Sequence, residues 1–537
     1  MTTDRRRFLT GSVGSGLCLA GAAAVGSPLR PDADQAVWQY HVDMSAQRSH
    51  AYLWTPPRSK RLRGLIMGQT IVIEKALLED PAIRAMAARE DFGLIWFNRN
   101  WGNRYVYSEP RRDDRVVQGA LDALAALSGF EELTWVPWVT IGHSASQAFA
   151  FNPAYQNPDR VLCIISAKAG LGRPPEWDKT ASLRHTPVLQ IGAELFELGP
   201  ARRLSPIDTT ARQMAEHART HPDTVSMGLT QTGSGHFEWS PDLGRYVAAF
   251  ISAAAKARLP EALTRDFRFN ETPERELWLV DSAVPPRFAA APAPLYQGPR
   301  ETAMRVFNGH LAKALSAFYA GHNKRPVWIS FDHQTPSANG QGLQTLDFTP
   351  EADGLSFSVS ARLQRDDSDT GGSAPRGGLH FRVVGWGWSC VRTGPATFRV
   401  QFNRAEDNID KILILAEYPG DRTHRPVVQP VLIRIPLTHD EGLEQTLSFD
   451  ALPDVASPHG RIRLNARSSV GLPVSFFVRS GPVLIEDAHY LRFADVPAHA
   501  RFPLRIEVVA TQWGRATGPA VKTATPVSRV FYLHRPH

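Results

Sequence analysis

Between about residues 35 and 260, short apolar runs alternate with segments whose apolar positions recur at helical spacing. The runs are HAYLWTP (50–56), GLIMG (64–68), GLIWFN (93–98), WVTIG (138–142), VLCIIS (161–166), PVLQIG (187–192) and TVSMGLT (224–230). Several are apolar at consecutive positions, the pattern of strands buried on both faces. Between them, DPAIRAMAARED (80–91) carries Pro81 in a first turn, where the missing N–H costs nothing. RDDRVVQGALDALAALSG (112–129) has acids early and Gly129 at its end, and LGRYVAAFISAAAKARLP (243–260) stops at Pro260. Alternating strands and helices predict an α/β fold, a mostly parallel sheet with helices on both faces.

After 260 the pattern changes. A Pro/Ala-rich stretch (284–299) and one helical pattern (301–321) read as a linker and helix over 261–326. From 327 to 537 the runs GLSFSVSARLQ, LHFRVVGWGWSCV, TFRVQFN, PVLIRIPL, RIRLNARSS, VSFFVRSG, LRIEVVATQWG and RVFYLHR alternate with period two or carry β-branched and aromatic residues. Turns separate these runs, which predicts an antiparallel β-sandwich domain. The polar stretch RDDSDTGGSAPRGG (365–378) reads as a loop between two strands.

Composition adds limits. Of 537 residues, 43% are hydrophobic and 21% charged, enough to bury a core in two or three domains. The net charge of +7 includes Arg5, Arg6 and Arg7, so the remaining balance gives no case for a nucleic-acid partner. The first 27 residues have a basic start, a Gly/Ala-rich apolar middle and small residues near Ala22–Ser27, the layout of an export signal. Arg5-Arg6-Arg7-Phe8-Leu9 resembles a twin-arginine motif, with Asp4 where Ser or Thr is more usual. The resemblance implies recognition by the twin-arginine export machinery and a periplasmic or secreted location. No later run is long and apolar enough to predict an integral membrane span. Cys18 would leave with the signal, and Cys163 and Cys390, far apart in apolar runs, read as buried free thiols.

The candidate chemistry lies in WVTIGHSASQAFAFNP (138–153). Gly-x-Ser-x-Gly/Ser is a weak signal, expected roughly 0.3 times by chance in a chain of this length at average composition. It occurs twice here. Ser356 sits inside an alternating strand pattern, whereas Ser144 follows a buried-type strand and opens a helix-prone segment. That is the context a nucleophile elbow needs: small neighbours at Gly142 and Ser146, and helix N–H groups aimed at a developing oxyanion. Ala145 would supply one such N–H, and Gln69 or Thr70, after the 64–68 run, a second. Pro153 either shortens or bends the helix that follows.

With these residues the chain, over about 37–260, resembles the α/β-hydrolase superfamily of serine esterases. Its order of nucleophile, acid and histidine implies His236, in QTGSGHFEWSP before the last helix, as the base. The acid is implied at the end of the 187–192 run, by Glu194, or alternatively Glu197, with Glu176 a third choice. The usual spacing falls on Leu195, which cannot serve. The resemblance implies acyl transfer to water through an acyl-enzyme, with no metal or organic cofactor. The Trp-, Tyr-, Asn- and Arg-rich stretch 98–112 reads either as a sugar-stacking wall or as an ordinary surface loop, and GWGWSC (385–390) as strand core or sugar platform. The layout is also similar to exported bacterial hydrolases that carry a C-terminal β-sandwich, which implies a small-molecule or polysaccharide ester as substrate. A peptidase on the same scaffold and a non-enzymatic carbohydrate-binding protein remain as alternatives.

Overall fold

A computed structural model describes residues 36–69, 72–98, 110–174, 182–183, 185–195, 204–333, 335–336, 343–365, 374–384, 389–403 and 411–535. The export signal, Thr70, Glu176 and Glu197, most of the 98–112 stretch and residues 385–388 lie outside the described residues.

Eleven strands form the main sheet. They are β1 (Tyr40–Met44), β2 (Ser49–Trp54), β3 (Gly64–Gln69), β4 (Phe92–Phe97), β5 (Trp138–His143), β6 (Val161–Ala167), β7 (Val188–Ala193), β8 (Ser226–Gln231), β9 (Trp278–Asp281), β10 (Ala291–Pro292) and β11 (Ala303–Val306). Their spatial order is β1-β2-β4-β3-β5-β6-β7-β8-β11-β9-β10. The pairs from β4 through β8 are parallel, with antiparallel strands at both edges. Every residue of β3, β4, β5 and β6 is buried, so both faces are covered, as the continuous apolar runs require. The cover comes from α1 (Glu74–Leu78), α2 (Pro81–Glu90), α3 (Pro110–Ser128), α4 (Gln147–Gln156), α5 (Thr209–Thr220) and α6 (Pro241–Arg258). The fold is an α/β fold with a mostly parallel sheet covered by helices, as expected.

Strand order places the site. The chain leaves β3 for β4 on one side, then returns to β5 on the other. The connections therefore diverge at the carboxyl ends of β3 and β5 and open a crevice there, the usual ligand position in such sheets.

Two expectations are corrected. Residues 261–326 are not a linker: β9 and β11 extend the main sheet, with β11 pairing directly on β8 through Arg305 and Ser226. A Pro/Ala-rich composition resembles a tether, but Trp278–Asp281 is apolar enough to bury against the sheet, and Pro292 itself ends the edge strand β10 that pairs with it. The single helix expected at 301–321 is instead β11 followed by α7 (Gly309–Phe318). Asn308 makes the break, because its side chain accepts the Leu311 N–H and caps the helix at 3.0 Å. Strand β1 and helix α5 went unread in the sequence. Strand β1 is short and carries His41 and Asp43 among its five residues, and α5 carries many polar residues on its exposed face.

The 327–537 region is β-rich and mainly antiparallel, as expected, and is divided among several small sheets. Its central hairpin joins Lys411–Tyr418 to Val427–Arg434. This region is not packed as a separate module. One buried cluster runs from Trp38 and Ile141 of the α/β part to Leu415, Val478, Ile506 and Phe531. Cys163 and Cys390 are both buried, and burial pushes the Cys163 pKa up to about 12. No helix among the described residues is long and apolar enough to cross a membrane.

A chain ending at Pro260 tests whether the α/β part folds without the strands that extend its sheet and the C-terminal region that shares its core. It would expose the β8 edge and the faces that bury Met304, Val306, Leu311 and Leu315. Each such side chain contributes about 1.5–3 kcal/mol, and together they rival a typical net stability of about 5–15 kcal/mol. The truncated chain is expected to be insoluble or to lose near-ultraviolet circular dichroism. A soluble, cooperatively melting 36–260 fragment would contradict this.

Candidate active site

Strand β5 carries its last residue, His143, to the crevice and then turns sharply. Ser144 has φ +50°, the left-handed region, which for a non-glycine residue costs about 1–3 kcal/mol and persists only where its surroundings hold it. Residues Ser144–Ser146 form one 3-10 turn that leads directly into α4. The turn is so tight that a Cβ on Gly142 would lie 2.2 Å from the Ser146 carbonyl oxygen, so glycine is obligatory there. Ser144 therefore stands on a tight, strained turn between strand and helix. Helix α4 runs through Pro153 to Gln156, so the proline neither ends it nor disturbs the elbow.

The histidine arrives from the β8–α6 loop. His236 Nε2 lies 2.8 Å from Ser144 Oγ, within reach for proton transfer. His236 is 4% exposed, so bulk water competes little for this contact.

Two buried side chains, those of Ser146 and Glu74, hold the elbow in place. The Ser146 hydroxyl donates to the Gln69 carbonyl at 3.4 Å, tying the turn to the end of β3. Ser146 thus performs a bridging task that the more usual glycine could not. Gln69 is buried beside the elbow at the edge where an oxyanion donor is expected, and Ala145 heads the turn into α4. Glu74, fully buried at the start of α1, accepts the His143 N–H at 2.9 Å and the Val72 N–H at 3.0 Å. One carboxylate thereby bridges the elbow and the residues just after Gln69.

His143 connects the two halves of the pair. Its Nε2 lies 2.9 Å from the His236 carbonyl oxygen, and since that oxygen only accepts, Nε2 carries the proton. Burial, with the neighbouring His236 and Lys168, holds the His143 pKa well below its ordinary value, so the ring is a neutral donor.

The acid expected at Glu194 is corrected. Glu194 stands just beyond β7, and both its carboxylate oxygens are engaged elsewhere: one accepts the Gly233 N–H at 2.6 Å, the other Arg425 Nη1 at 2.7 Å. It makes no hydrogen bond to His236. The cause is tertiary: Arg425 lies 231 positions away and claims a carboxylate that chain order alone offered to the histidine. Burial still pushes the Glu194 pKa above its ordinary range, with Arg425 opposing.

Two charged groups near the histidine loop went unnoticed. Lys168, at the end of β6, donates to the Gly192 carbonyl at 2.6 Å and to Ser234 Oγ at 3.4 Å. Glu238, two residues past His236, is 1% exposed, and burial pushes its pKa up to about 7 against the pull of Lys168 and Arg382. The signal was an acid between two aromatics in HFEW (236–239), which periodicity does not single out.

No protein-family profile and no curated protein matches this sequence. Among solved structures, the chain is similar to a poly(3-hydroxybutyrate) depolymerase, LpqC, from Bordetella parapertussis (13% identity over 42% of this chain and 93% of the other, TM-score 0.28). It is similar to Est1E from Butyrivibrio proteoclasticus (13% identity, 40% and 96%, TM-score 0.27). It is also similar to the enterobactin esterase FES from Shigella flexneri (13% identity, 43% and 63%, TM-score 0.30).

Glu238 gives a pH prediction. Its folded-state pKa of about 7 lies above the ordinary carboxyl value of 4.5, so the folded chain keeps a proton that the unfolded chain has released. The stability tied to this proton is present at low pH and is lost as pH rises from about 4.5 through about 7. Glu238→Gln should flatten that slope, gaining stability relative to wild type at about pH 8 more than at about pH 5. Melting curves at the two pH values check this, and parallel curves for both proteins would contradict it.

Proposed function

We propose that this protein is a serine hydrolase that cleaves carboxylic esters, with ester substituents of a carbohydrate or polysaccharide as its substrates. The observation that carries this reading is the 2.8 Å contact of Ser144 Oγ with His236 Nε2, on a serine held at φ +50°. A hydroxyl becomes a useful nucleophile at neutral pH when an imidazole can take its proton as it attacks. In the first step Ser144 Oγ bonds to the ester carbonyl carbon while His236 Nε2 accepts the hydroxyl proton. The carbonyl oxygen becomes an oxyanion facing the N–H of Ala145 and an N–H of the Gln69–Thr70 segment. Collapse expels the alcohol, which takes the proton from His236. Water then attacks the acyl-enzyme, His236 again accepting and returning the proton, and releases the carboxylic acid.

The acid role passes in this proposal to Glu197, the alternate in the segment after β7, because Glu194 is committed to Gly233 and Arg425. A carboxylate on the imidazole fixes its tautomer and stabilises the imidazolium. The carbohydrate assignment rests on the Trp-, Tyr-, Asn- and Arg-rich stretch after β4, since aromatic planes suit sugar rings and the polar groups suit hydroxyls. Export through the twin-arginine route, to the periplasm or beyond, rests on the Arg5–Arg7 motif and the apolar stretch that follows it.

Hydrolysis of p-nitrophenyl acetate, an acetylated xylan and a peptide amide tests the reading. The first two should be cleaved and the amide spared, and a fluorophosphonate should label Ser144. Ser144→Ala should lose at least ~10⁴-fold in kcat. Glu197→Ala should lose about 10³–10⁴-fold. A wild-type protein that hydrolyses no ester and resists the fluorophosphonate would refute the proposal, and full activity in Glu197→Ala would remove that residue from its role.

A further inference from the structure

The loop that carries His236 is gripped from two sides. From the β7 end, the Gly233 N–H donates to Glu194 Oε2 at 2.6 Å, and the N–H groups of Glu194 and Leu195 both donate to the Ser234 carbonyl, at 3.0 and 2.9 Å. From the C-terminal region, the Val428 N–H donates to the Gly233 carbonyl at 2.9 Å. Gly233 is wedged between the two: its φ is +73°, and a Cβ there would lie 2.1 Å from the Pro426 carbonyl oxygen. Arg425 closes the clamp. Its Nη1 donates to Glu194 Oε1 at 2.7 Å, its Nη2 to the His322 carbonyl, and its Nε to the Lys324 carbonyl at 3.2 Å.

Both ends of the loop are fixed in this way. Beyond the histidine, Trp239 Nε1 donates to Asp80 Oδ2 at 3.0 Å, and Arg382 donates to the Trp239 carbonyl. Arg382 itself belongs to the C-terminal region, where Glu417 pairs with it at 2.6 Å.

We propose that Glu194 and Arg425 form a positioning pair for the catalytic histidine, so that the C-terminal region completes the active site of the hydrolase domain. The carboxylate that chain order offers to the imidazole instead holds the loop from which the imidazole projects, and the arginine of a distant hairpin holds the carboxylate. The inference rests on the proposed hydrolase function. A buried ion pair with its remaining lone pairs satisfied is a rigid element, and breaking it leaves an uncompensated charge. The Glu194 and Arg425 side chains are 3% and 12% exposed, so water cannot replace either partner. Neither residue touches the reacting atoms. Their effect is on the Ser144–His236 distance, where a displacement of about 1 Å is worth up to ~100-fold in rate.

The test uses the full chain and p-nitrophenyl acetate, with Arg425→Met, Arg425→Lys, Glu194→Gln and the double variant Glu194→Gln/Arg425→Met. Arg425→Met is expected to lower kcat by about 10- to 100-fold with KM changed less than about twofold, because substrate binding is left intact. Arg425→Lys should recover part of the loss, since a lysine keeps the charge but not the forked geometry. The double variant should lose no more than the worse single variant, the signature of two residues acting as one unit. Hydrogen exchange at the Gly233 amide should accelerate in Arg425→Met. The acid limb of its kcat profile should also move to higher pH, because a buried Glu194 without its guanidinium holds a proton more readily, His322 being the other titratable group facing it.

If Arg425→Met does not fold, the double variant, which leaves no buried charge unpaired, is judged by the same criteria. Wild-type activity together with unchanged kcat and unchanged Gly233 exchange in the folded variants overturns the positioning pair alone. Absence of any esterase activity or fluorophosphonate labelling in the wild type overturns the hydrolase reading and the pair with it.

Discussion

A serine hydroxyl and an imidazole 92 positions apart meet at 2.8 Å, and every chemical property of the site depends on that meeting. Neither partner reaches its place by local preference. Ser144 occupies a backbone conformation that its own side chain disfavours, and it stays there because Gly142 leaves room for the Ser146 carbonyl and Glu74 holds the His143 N–H. His236 lies on a glycine-bearing loop with little structure of its own. It is located by hydrogen bonds at both ends of that loop and by the neutral His143 ring bonded to its carbonyl oxygen.

The constraint extends into the C-terminal half. Gly233 faces Pro426 at a distance that excludes even a methyl group, so the loop and the Val427–Arg434 strand must fit as one packed unit. The shared buried cluster that joins both halves has the same consequence: displacement of one is transmitted to the other. The eleven-stranded sheet reaches the same result by another route, since β11 protects the edge of β8, the strand that leads into the histidine loop.

Much of this was legible in the chain. Continuous apolar runs marked the buried parallel strands, because a strand covered on both faces has no polar side to show. Ser144 stood apart from Ser356 by context alone, a strand end running into a helix. The Pro/Ala-rich stretch misled because composition reports flexibility in an isolated chain, whereas the short apolar Trp278–Asp281 segment pairs once a sheet edge is available. The pattern at 301–321 reads as one helix until its first half is claimed by the sheet, and Asn308 then caps the half that remains helical.

By itself the sequence determined the kind of sheet and the serine on a tight turn at its edge, since these depend on periodicity and on local steric demands that neighbouring residues reveal, whereas His236 was pointed to only by a family resemblance. Only the tertiary structure decided what Glu194 does. A carboxylate has no fixed role until its partners are known, and its partners here are a loop N–H 39 positions away and a guanidinium 231 positions away, distances over which no local pattern carries information.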